Sequence, residues 1–222
     1  MERRMKAFIH YVVGYWDCKD ANRNKEVIDT INRNIESGFF DKISVFTPNP
    51  TEKIQCEDQI QVSNLTYQRA FDSSIRGINI LANSDILFDE SILLADDIIE
   101  HEDFACLTRY ESDGNLHKHD DEFQGSDSQD VWIWRDSCRV YDADFDLGVA
   151  GCDNRIAAEA CLAEYNVINP SKRIQCWHRH ETTIRTGFSE KEVAKMMVPP
   201  PYKLVEVEGN KQFNINHPMY IK

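Results

Sequence analysis

The stretch that decides the fold is the apolar run Ile78-Asn79-Ile80-Leu81-Ala82, which is followed directly by Asn83-Ser84-Asp85. The run is compact and long enough for a strand buried at the centre of a mostly parallel sheet. Ligands of open α/β sheets bind outside the carboxyl ends of the strands. The polar tripeptide after Ala82 is therefore a candidate binding site.

The segments before this strand alternate between strand patterns and helix patterns. The patterns predict strands over Lys6–Val13, Lys42–Phe46 and Gln59–Val62, and helices over Asn24–Ser37 and Thr66–Gly77. In the first helix the apolar residues recur at helical spacing. Such alternation predicts an α/β fold with a mostly parallel mixed sheet, flanked by helices through right-handed crossovers.

The second half of the chain is less regular. It predicts helices over Ser91–Ile99 and Asp153–Tyr165, and strands over Phe104–Arg109, Val131–Arg135 and Lys172–His178. The polar, acidic stretch His117–Asp130 indicates a loop in solvent. Three prolines at 199–201 mark the end of the compact region. We therefore predict a single domain over residues 1–200 and a C-terminal arm over residues 201–222.

Composition narrows the class of protein. The 222 residues are 41% hydrophobic and 28% charged, which excludes a wholly disordered chain. The formal net charge of −13 argues against a protein that binds nucleic acid by neutralising phosphates. The seven cysteines show no Cys-x-x-Cys spacing, so we expect neither a zinc ribbon nor a disulfide framework. Free thiols and the lack of a membrane span or signal peptide predict a cytoplasmic protein.

Two acidic residues at the ends of predicted elements have a chemical interpretation and a structural one. Asp85 could hold Mg²⁺ or Mn²⁺ against a diphosphate, although Asn, Ser and Asp are also ordinary turn residues. Asp153 opens a predicted helix after Gly151, where it could act as a general base or simply cap the helix.

Two further motifs lie in the second half. Asp130 directly precedes a strand on which Trp132 and Trp134 share one face, so the two indoles either bind a sugar ring or belong to the core. His178 and His180 would point to the same side of a strand, where a neutral ring nitrogen could bind a metal. The alternative is a charged strand end in solvent.

Taken in order, these motifs resemble a known family. The stretches are Leu81-Ala82-Asn83-Ser84-Asp85-Ile86, Ser128-Gln129-Asp130-Val131-Trp132, Gly151-Cys152-Asp153-Asn154-Arg155, Val167-Ile168-Asn169-Pro170-Ser171 and His178-x-His180. Over roughly residues 6–190 the chain is similar to GT-A-type glycosyltransferases of viruses and bacteria, chlorovirus enzymes among them. Joint occurrence in order is more specific than any single motif.

The resemblance implies a Rossmann-like donor half and a divalent cation, Mn²⁺ or Mg²⁺. In this family the cation links the donor's diphosphate to a short acidic motif that usually reads Asp-x-Asp. Here Asn83 replaces the first carboxylate, which leaves Asp85 as the expected ligand. A C-terminal histidine completes the metal shell in several members, and His178 and His180 are the candidates.

The implied activity is transfer of a hexose or deoxyhexose from a nucleoside-diphosphate sugar, UDP-linked by expectation, to a hydroxyl of a glycan or other acceptor. Asp153 is the first choice for the acid that orients or deprotonates the acceptor, and Asp130 is the second. Topology suggests a set of nucleotide contacts: Val13, Gly14, Tyr15, Arg23, Asn64, Tyr67, Arg69, Asn83 and Ser84.

Two other functions compete with this hypothesis. The departure at Asn83 keeps open a nucleotide-sugar-binding protein that has lost catalysis. The same carboxylates could also serve a metal-dependent hydrolase or nuclease, but the net charge of −13 makes nucleic acid a poor substrate.

Overall fold

A computed structural model describes residues 6–118, 125–126, 128–179 and 205–208. Within these residues the chain forms nine strands: β1 Ile9–Gly14, β2 Lys42–Thr47, β3 Gln59–Gln61, β4 Ile78–Ala82, β5 Ile86–Phe88, β6 Asp103–Leu107, β7 Val131–Arg135, β8 Asn166–Ile168 and β9 Cys176–His178. Four α-helices accompany them: α1 Ala21–Glu36, α2 Tyr67–Asp72, α3 Ala95–Ile98 and α4 Cys152–Leu162. A 3₁₀-helix, Glu90–Leu94, leads into α3.

Seven strands form one sheet in the order β3-β2-β1-β4-β7-β6-β8. The first four are parallel to one another, β7 runs antiparallel to both of its neighbours, and β8 is parallel to β6. Strands β5 and β9 form a separate antiparallel pair. The fold is thus the mostly parallel mixed α/β sheet of Rossmann type that the sequence predicts.

Two apolar clusters cover the two faces of the sheet, because strand side chains alternate between faces. Tyr11 and Val13 of β1 belong to one cluster with Val27 and Ile31 of α1. Val12 belongs to the other cluster, to which α2 and α4 contribute. Trp132 and Trp134 are fully buried in that second cluster, so they are core residues and offer no face to a sugar.

Local hydrogen bonds explain where two of the helices begin and end. Helix α1 begins at Ala21 because the Asp20 carboxylate accepts a hydrogen bond from Arg23 N at 2.8 Å. Helix α2 is shorter than predicted and ends at Asp72. The hydroxyls of Ser73 and Ser74 donate to the helix carbonyls of Ala70 and Phe71 at 2.7 and 2.5 Å, which competes with further helical turns.

The sequence patterns miss two short strands and overextend another. Strands β5 and β8 have three residues each, too few for a periodicity to be recognised. The strand predicted over Lys172–His178 is limited to β9. Its pairing with β5 is long-range and has no local signal.

The prediction of a solvent loop over His117–Asp130 is wrong for its last residues. Ser126, Gln129 and Asp130 are 0%, 2% and 6% exposed. Gln129 Nε2 donates to Ser126 O at 2.7 Å, and Asp130 pairs with Arg109, so both groups find partners inside the protein, whereas Gln129 Oε1 has none among the described residues.

Part of the predicted C-terminal arm packs on the domain. Val205 and Val207 are buried, and Val205 N donates to Ser126 O at 3.0 Å. The rest of residues 201–222, together with 180–204, lies outside the described residues, so the boundary at residue 200 stays a prediction. No helix in the described part of the chain has the length and apolar character needed to cross a membrane.

Candidate active site

The candidate site lies at the carboxyl edge of the parallel strands, where β1 ends at Gly14 and β4 ends at Ala82. Asp85 lies in the short connection between β4 and β5, and β5 pairs with β9 so that Ile86 lies opposite His178. As a result, Asp85 Oδ2 lies 3.2 Å from His178 Nε2. A backbone hydrogen bond joins the same two segments, since Arg179 N donates to Asp85 O at 2.9 Å.

A guanidinium from the other side of the site reaches the same carboxylate. Arg23, in the first turn of α1, donates through Nη2 to Asp85 Oδ2 at 2.5 Å and through Nη1 to Glu26 at 3.2 Å. Burial by itself would raise the pKa of Asp85, but the hydrogen bonds and charges of His178 and Arg23 outweigh it and hold that pKa well below its usual range. Asp85 is therefore an anion at any physiological pH.

His178 is also bonded on its other ring nitrogen. Its Nδ1 lies 3.1 Å from Glu111 Oε2. The second oxygen of Glu111 accepts from Arg109 Nε at 3.0 Å and from His117 Nδ1 at 2.6 Å. Burial lowers the pKa of His178, but the bonds to Asp85 and Glu111 more than compensate, and the pKa is raised. The imidazole is thus held between two carboxylates.

Arg109 extends this network to the second predicted acid. Its Nη1 lies 2.8 Å from Asp130 Oδ2, and Asp130 Oδ1 accepts from Asn83 Nδ2 at 2.7 Å. Asn83 N also donates to Asp130 O at 3.0 Å. One continuous polar network therefore joins Asn83 and Asp130 to Asp85 and His178, four of the residues that the sequence singles out.

Asp153 lies in the first turn of α4, beside this network. The helix is capped by Gly151, which adopts φ 85°, so Asp153 is not the capping residue. Its Oδ2 accepts from Gln129 N at 3.1 Å. Burial raises the pKa of Asp153 to about 7, with the nearby Asp130 charge adding to the rise and backbone N–H groups opposing it. This carboxyl can gain or lose a proton near neutral pH.

Most of the residues that the sequence predicts to contact the nucleotide lie outside the network around Asp85. Val13 and Tyr67 are 0% exposed, and the Tyr67 hydroxyl bonds Cys152 Sγ, so neither residue offers a ligand an accessible surface. Tyr15 is buried, with its hydroxyl donating to Asp17 Oδ1 at 2.6 Å and lying 3.2 Å from Asn24 Oδ1.

Arg69 and Asn64 form a separate group. Arg69 Nη1 donates to Asn64, whose amide bonds Asp146. Ser84 is half-buried next to Asp85, and Gly14 ends β1. Of the whole predicted nucleotide set, Arg23 and Asn83 make side-chain contacts with the network around Asp85.

Sequence reasoning missed four residues of this region: Trp16, Arg109, Glu111 and His117. Trp16 is 38% exposed, donates through Nε1 to Ser63 O at 3.2 Å, and lies so close over Gly14 that a Cβ there would be 2.3 Å from its Cζ3. The sequence feature that could have identified Trp16 is its position as an aromatic residue just after the buried strand β1. Glu111 and His117, which also line an open cavity of about 480 Å³, carried no local signal.

The donor set is compatible with a divalent cation. Asp85 and His178 offer one carboxylate oxygen and one imidazole nitrogen 3.2 Å apart. No group of three or more His, Cys, Asp or Glu side chains in the described part of the chain could hold a metal alone. Two protein ligands suffice for Mg²⁺-type sites when substrate phosphates complete the shell. The other candidate ligand, His180, lies outside the described residues.

The amino-acid sequence matches no family model and no curated protein. Fifteen chains of solved structures match the fold. One is a mannosyltransferase, PcManGT from Pyrobaculum calidifontis in complex with GDP-Man and Mn²⁺, with a TM-score of 0.48 and 10% identity. The match covers 78% of this chain and 57% of that protein, so this chain spans little more than half of the mannosyltransferase. A likeness of this size concerns the backbone alone.

Proposed function

We propose that this protein is a metal-dependent glycosyltransferase. It would transfer a hexose or deoxyhexose from a UDP-sugar to a hydroxyl of a glycan or other acceptor, with release of UDP. The proposal rests on one observation: Asp85 and His178, from opposite halves of the chain, meet at 3.2 Å at the carboxyl edge of the parallel strands. Ligands of open α/β sheets bind at this edge. The order of motifs in the sequence is consistent with the same activity.

The donor side of the proposed site consists of Arg23, Asp85 and His178. Asp85 and His178 would hold Mn²⁺ or Mg²⁺, which offsets the charge that develops on a leaving diphosphate. Arg23 shares Asp85 Oδ2 with His178, and its planar guanidinium suits phosphate oxygens as well as carboxylates. A diphosphate at this edge would therefore meet one cationic side chain in addition to the metal.

The acceptor side of the proposed site consists of Asp153, supported by Asp130. A general base works best when its pKa lies near the operating pH, and burial places that of Asp153 at about 7. Asp130 is a poorer base because one of its oxygens is paired with Arg109 and the other accepts from Asn83. We therefore propose that Asp153 accepts the proton of the acceptor hydroxyl. Asp130 would hold the side chain of Asn83 in place.

The nucleobase is proposed to stack on Trp16. The ring packs against Gly14 at the end of β1, is anchored by Ser63 and keeps 38% of its surface exposed. An aromatic platform on a rigid support binds a planar base well.

Thermal unfolding with UDP-, GDP- and dTDP-sugars, with and without Mn²⁺, tests the proposal. A ligand that binds only the folded state raises the unfolding temperature. We expect stabilisation by a UDP-sugar together with Mn²⁺, followed by slow release of UDP. Absence of stabilisation by every nucleotide would contradict the proposal.

A nucleotide-sugar-binding protein without catalysis is the second candidate. The amide of Asn83 stands where the family has a carboxylate and is tied to Asp130 at 2.7 Å, which removes one metal ligand. Stabilisation by nucleotide and Mn²⁺ without UDP release, for any donor or acceptor tried, would favour this candidate over the enzyme.

A further inference from the structure

Glu111 lies on a rigid frame beside His178. Tyr110 N donates to Cys176 O at 2.7 Å, and His178 N donates to Tyr110 O at 2.8 Å, so the residue before Glu111 is hydrogen-bonded to both ends of β9. A tight turn follows, in which Gly114 N donates to Glu111 O at 2.9 Å. The distance between Glu111 and His178 is thus set by backbone hydrogen bonds.

The two oxygens of Glu111 have different partners. Oε1 accepts from Arg109 Nε at 3.0 Å and from His117 Nδ1 at 2.6 Å. Among the described residues, the partner of Oε2 is His178 Nδ1, at 3.1 Å. A carboxylate accepts only, so the protonated imidazole satisfies both contacts, and the neutral imidazole can donate in only one of them.

The opposite nitrogen of His178 faces a carboxylate that is already engaged. Asp85 Oδ2 accepts from Arg23 Nη2 at 2.5 Å, whereas Glu111 Oε2 has no such competing donor among the described residues. A neutral His178 therefore keeps its proton on Nδ1, toward Glu111, and directs the lone pair of Nε2 toward Asp85.

We propose that Glu111 is a positioning residue, which holds His178 in the Nδ1–H tautomer so that Nε2 is available to a cation bound by Asp85. The inference rests on the proposed function, because the lone pair matters only if this edge binds a divalent cation. A carboxylate or carbonyl that accepts from the far nitrogen of a metal-binding histidine fixes its tautomer and orientation in this way.

Glu111→Gln is the sharpest variant, because the amide keeps the size of the carboxylate. Arg109 and His117 both donate toward Oε1, so the amide oxygen will take that position and the NH₂ group will face His178. His178 Nδ1 must then accept, which moves the proton to Nε2. The matched control is Asp113→Asn, which removes one charge from the same turn, where Asp113 bonds only Asn115 among the described residues.

The first measurement needs no metal. Long-range ¹⁵N–¹H NMR of the full chain at about pH 9, where histidine is neutral, distinguishes the two tautomers. We expect Nδ1–H for His178 in the wild type and in Asp113→Asn, and Nε2–H in Glu111→Gln. A wild-type His178 protonated on Nε2, or a tautomer that Glu111→Gln leaves unchanged, would overturn the inference even if the protein binds no nucleotide.

The second measurement is Mn²⁺ affinity in the presence of UDP, from the electron paramagnetic resonance signal of free Mn²⁺. Loss of such a supporting contact weakens metal binding about 10–100-fold. We expect this loss in Glu111→Gln, no change in Asp113→Asn, and no further loss when Glu111→Gln is added to His178→Ala. If Glu111→Gln weakened Mn²⁺ binding equally in the wild type and in His178→Ala, the inference would be overturned. Absence of Mn²⁺ and UDP binding by the wild type would instead contradict the proposed function.

Discussion

Asp85 and His178 lie 93 positions apart in the chain, yet Asp85 Oδ2 and His178 Nε2 are separated by 3.2 Å. The pairing of β5 with β9 produces this contact, since Ile86 and His178 are register partners. The contact joins the end of the central parallel strand to the last described strand. The proposed function places the diphosphate and its cation beside this contact.

Asp85→Asn should abolish the Mn²⁺-dependent part of nucleotide binding. The amide keeps the size of the side chain but removes the anion that Arg23 and His178 contact. A ligand at 100 times its Kd stabilises the fold by about 3 kcal/mol, and we expect this increment with UDP and Mn²⁺ to disappear. Thermal unfolding measures it, with the exposed Asp97→Asn as control. Retention of the full increment in Asp85→Asn would exclude Asp85 as a metal ligand.

Asp153→Asn should keep nucleotide binding and lose turnover. Loss of a general base lowers kcat by about 10²–10⁴-fold. Because burial raises the pKa of Asp153 to about 7, and a base must be deprotonated, wild-type kcat/KM should rise as pH increases through that value. UDP release measured between about pH 5.5 and 8.5 tests both points. Turnover in Asp153→Asn at the wild-type rate would remove Asp153 from the catalytic role.

His10 should make the protein less stable in mild acid. It is fully buried in β1, with Nε2 2.9 Å from Ser44 Oγ, and burial lowers its pKa to about 4. Between about pH 6.5 and 4, His10 is protonated in the unfolded chain but stays neutral in the folded protein. The free energy of unfolding therefore falls by about 1.4 kcal/mol per pH unit from this residue as pH decreases through that window.

Urea unfolding of the wild type and of His10→Asn across this window measures the contribution. The variant should be less stable at pH 7, because it loses a fitted buried side chain, and should show a shallower decline in acid. Parallel declines in the two proteins would mean that carboxylates alone determine the acid sensitivity.

Trp16→Leu should weaken UDP binding about fivefold, since an aromatic stacking contact contributes about 1 kcal/mol. The substitution removes the ring that lies over Gly14 while leaving the Asp85 network intact. Quenching of tryptophan fluorescence by UDP in the wild type gives a second readout. Tyr141→Ala, which removes an aromatic side chain that is 89% exposed, serves as control. Equal UDP affinity in Trp16→Leu and the wild type would place the base elsewhere.

Local patterns were sufficient to locate several residues of the candidate site. Strand β4 has the predicted bounds Ile78–Ala82, because a continuous apolar run flanked by turn residues has a meaning independent of the rest of the chain. The same reasoning located Asp85 at its end and Asp153 in the first turn of α4. The predicted Asp130 and His178 prove to be members of one network with Asp85.

Other site residues had no signal that could distinguish them. Glu111 is one of 38 acidic residues in the chain, and its neighbours Asp113 and Asn115 mark it as part of a polar turn. Arg109 was placed on a strand, with no indication that it would pair with Asp130. A charged side chain becomes functional through partners that are distant in sequence, and nearby residue types do not specify them.

The amino-acid sequence by itself therefore determined the α/β class, the central strand and the acids at the ends of its elements, because apolar periodicity and turn residues act over a few positions. The tertiary structure decided which of those acids share a site. It did so through the three-residue strands β5 and β9 and the backbone bonds around Tyr110, which bring Asp85, Glu111 and His178 together. These pairings are long-range, and their geometry exists only after the sheet has formed.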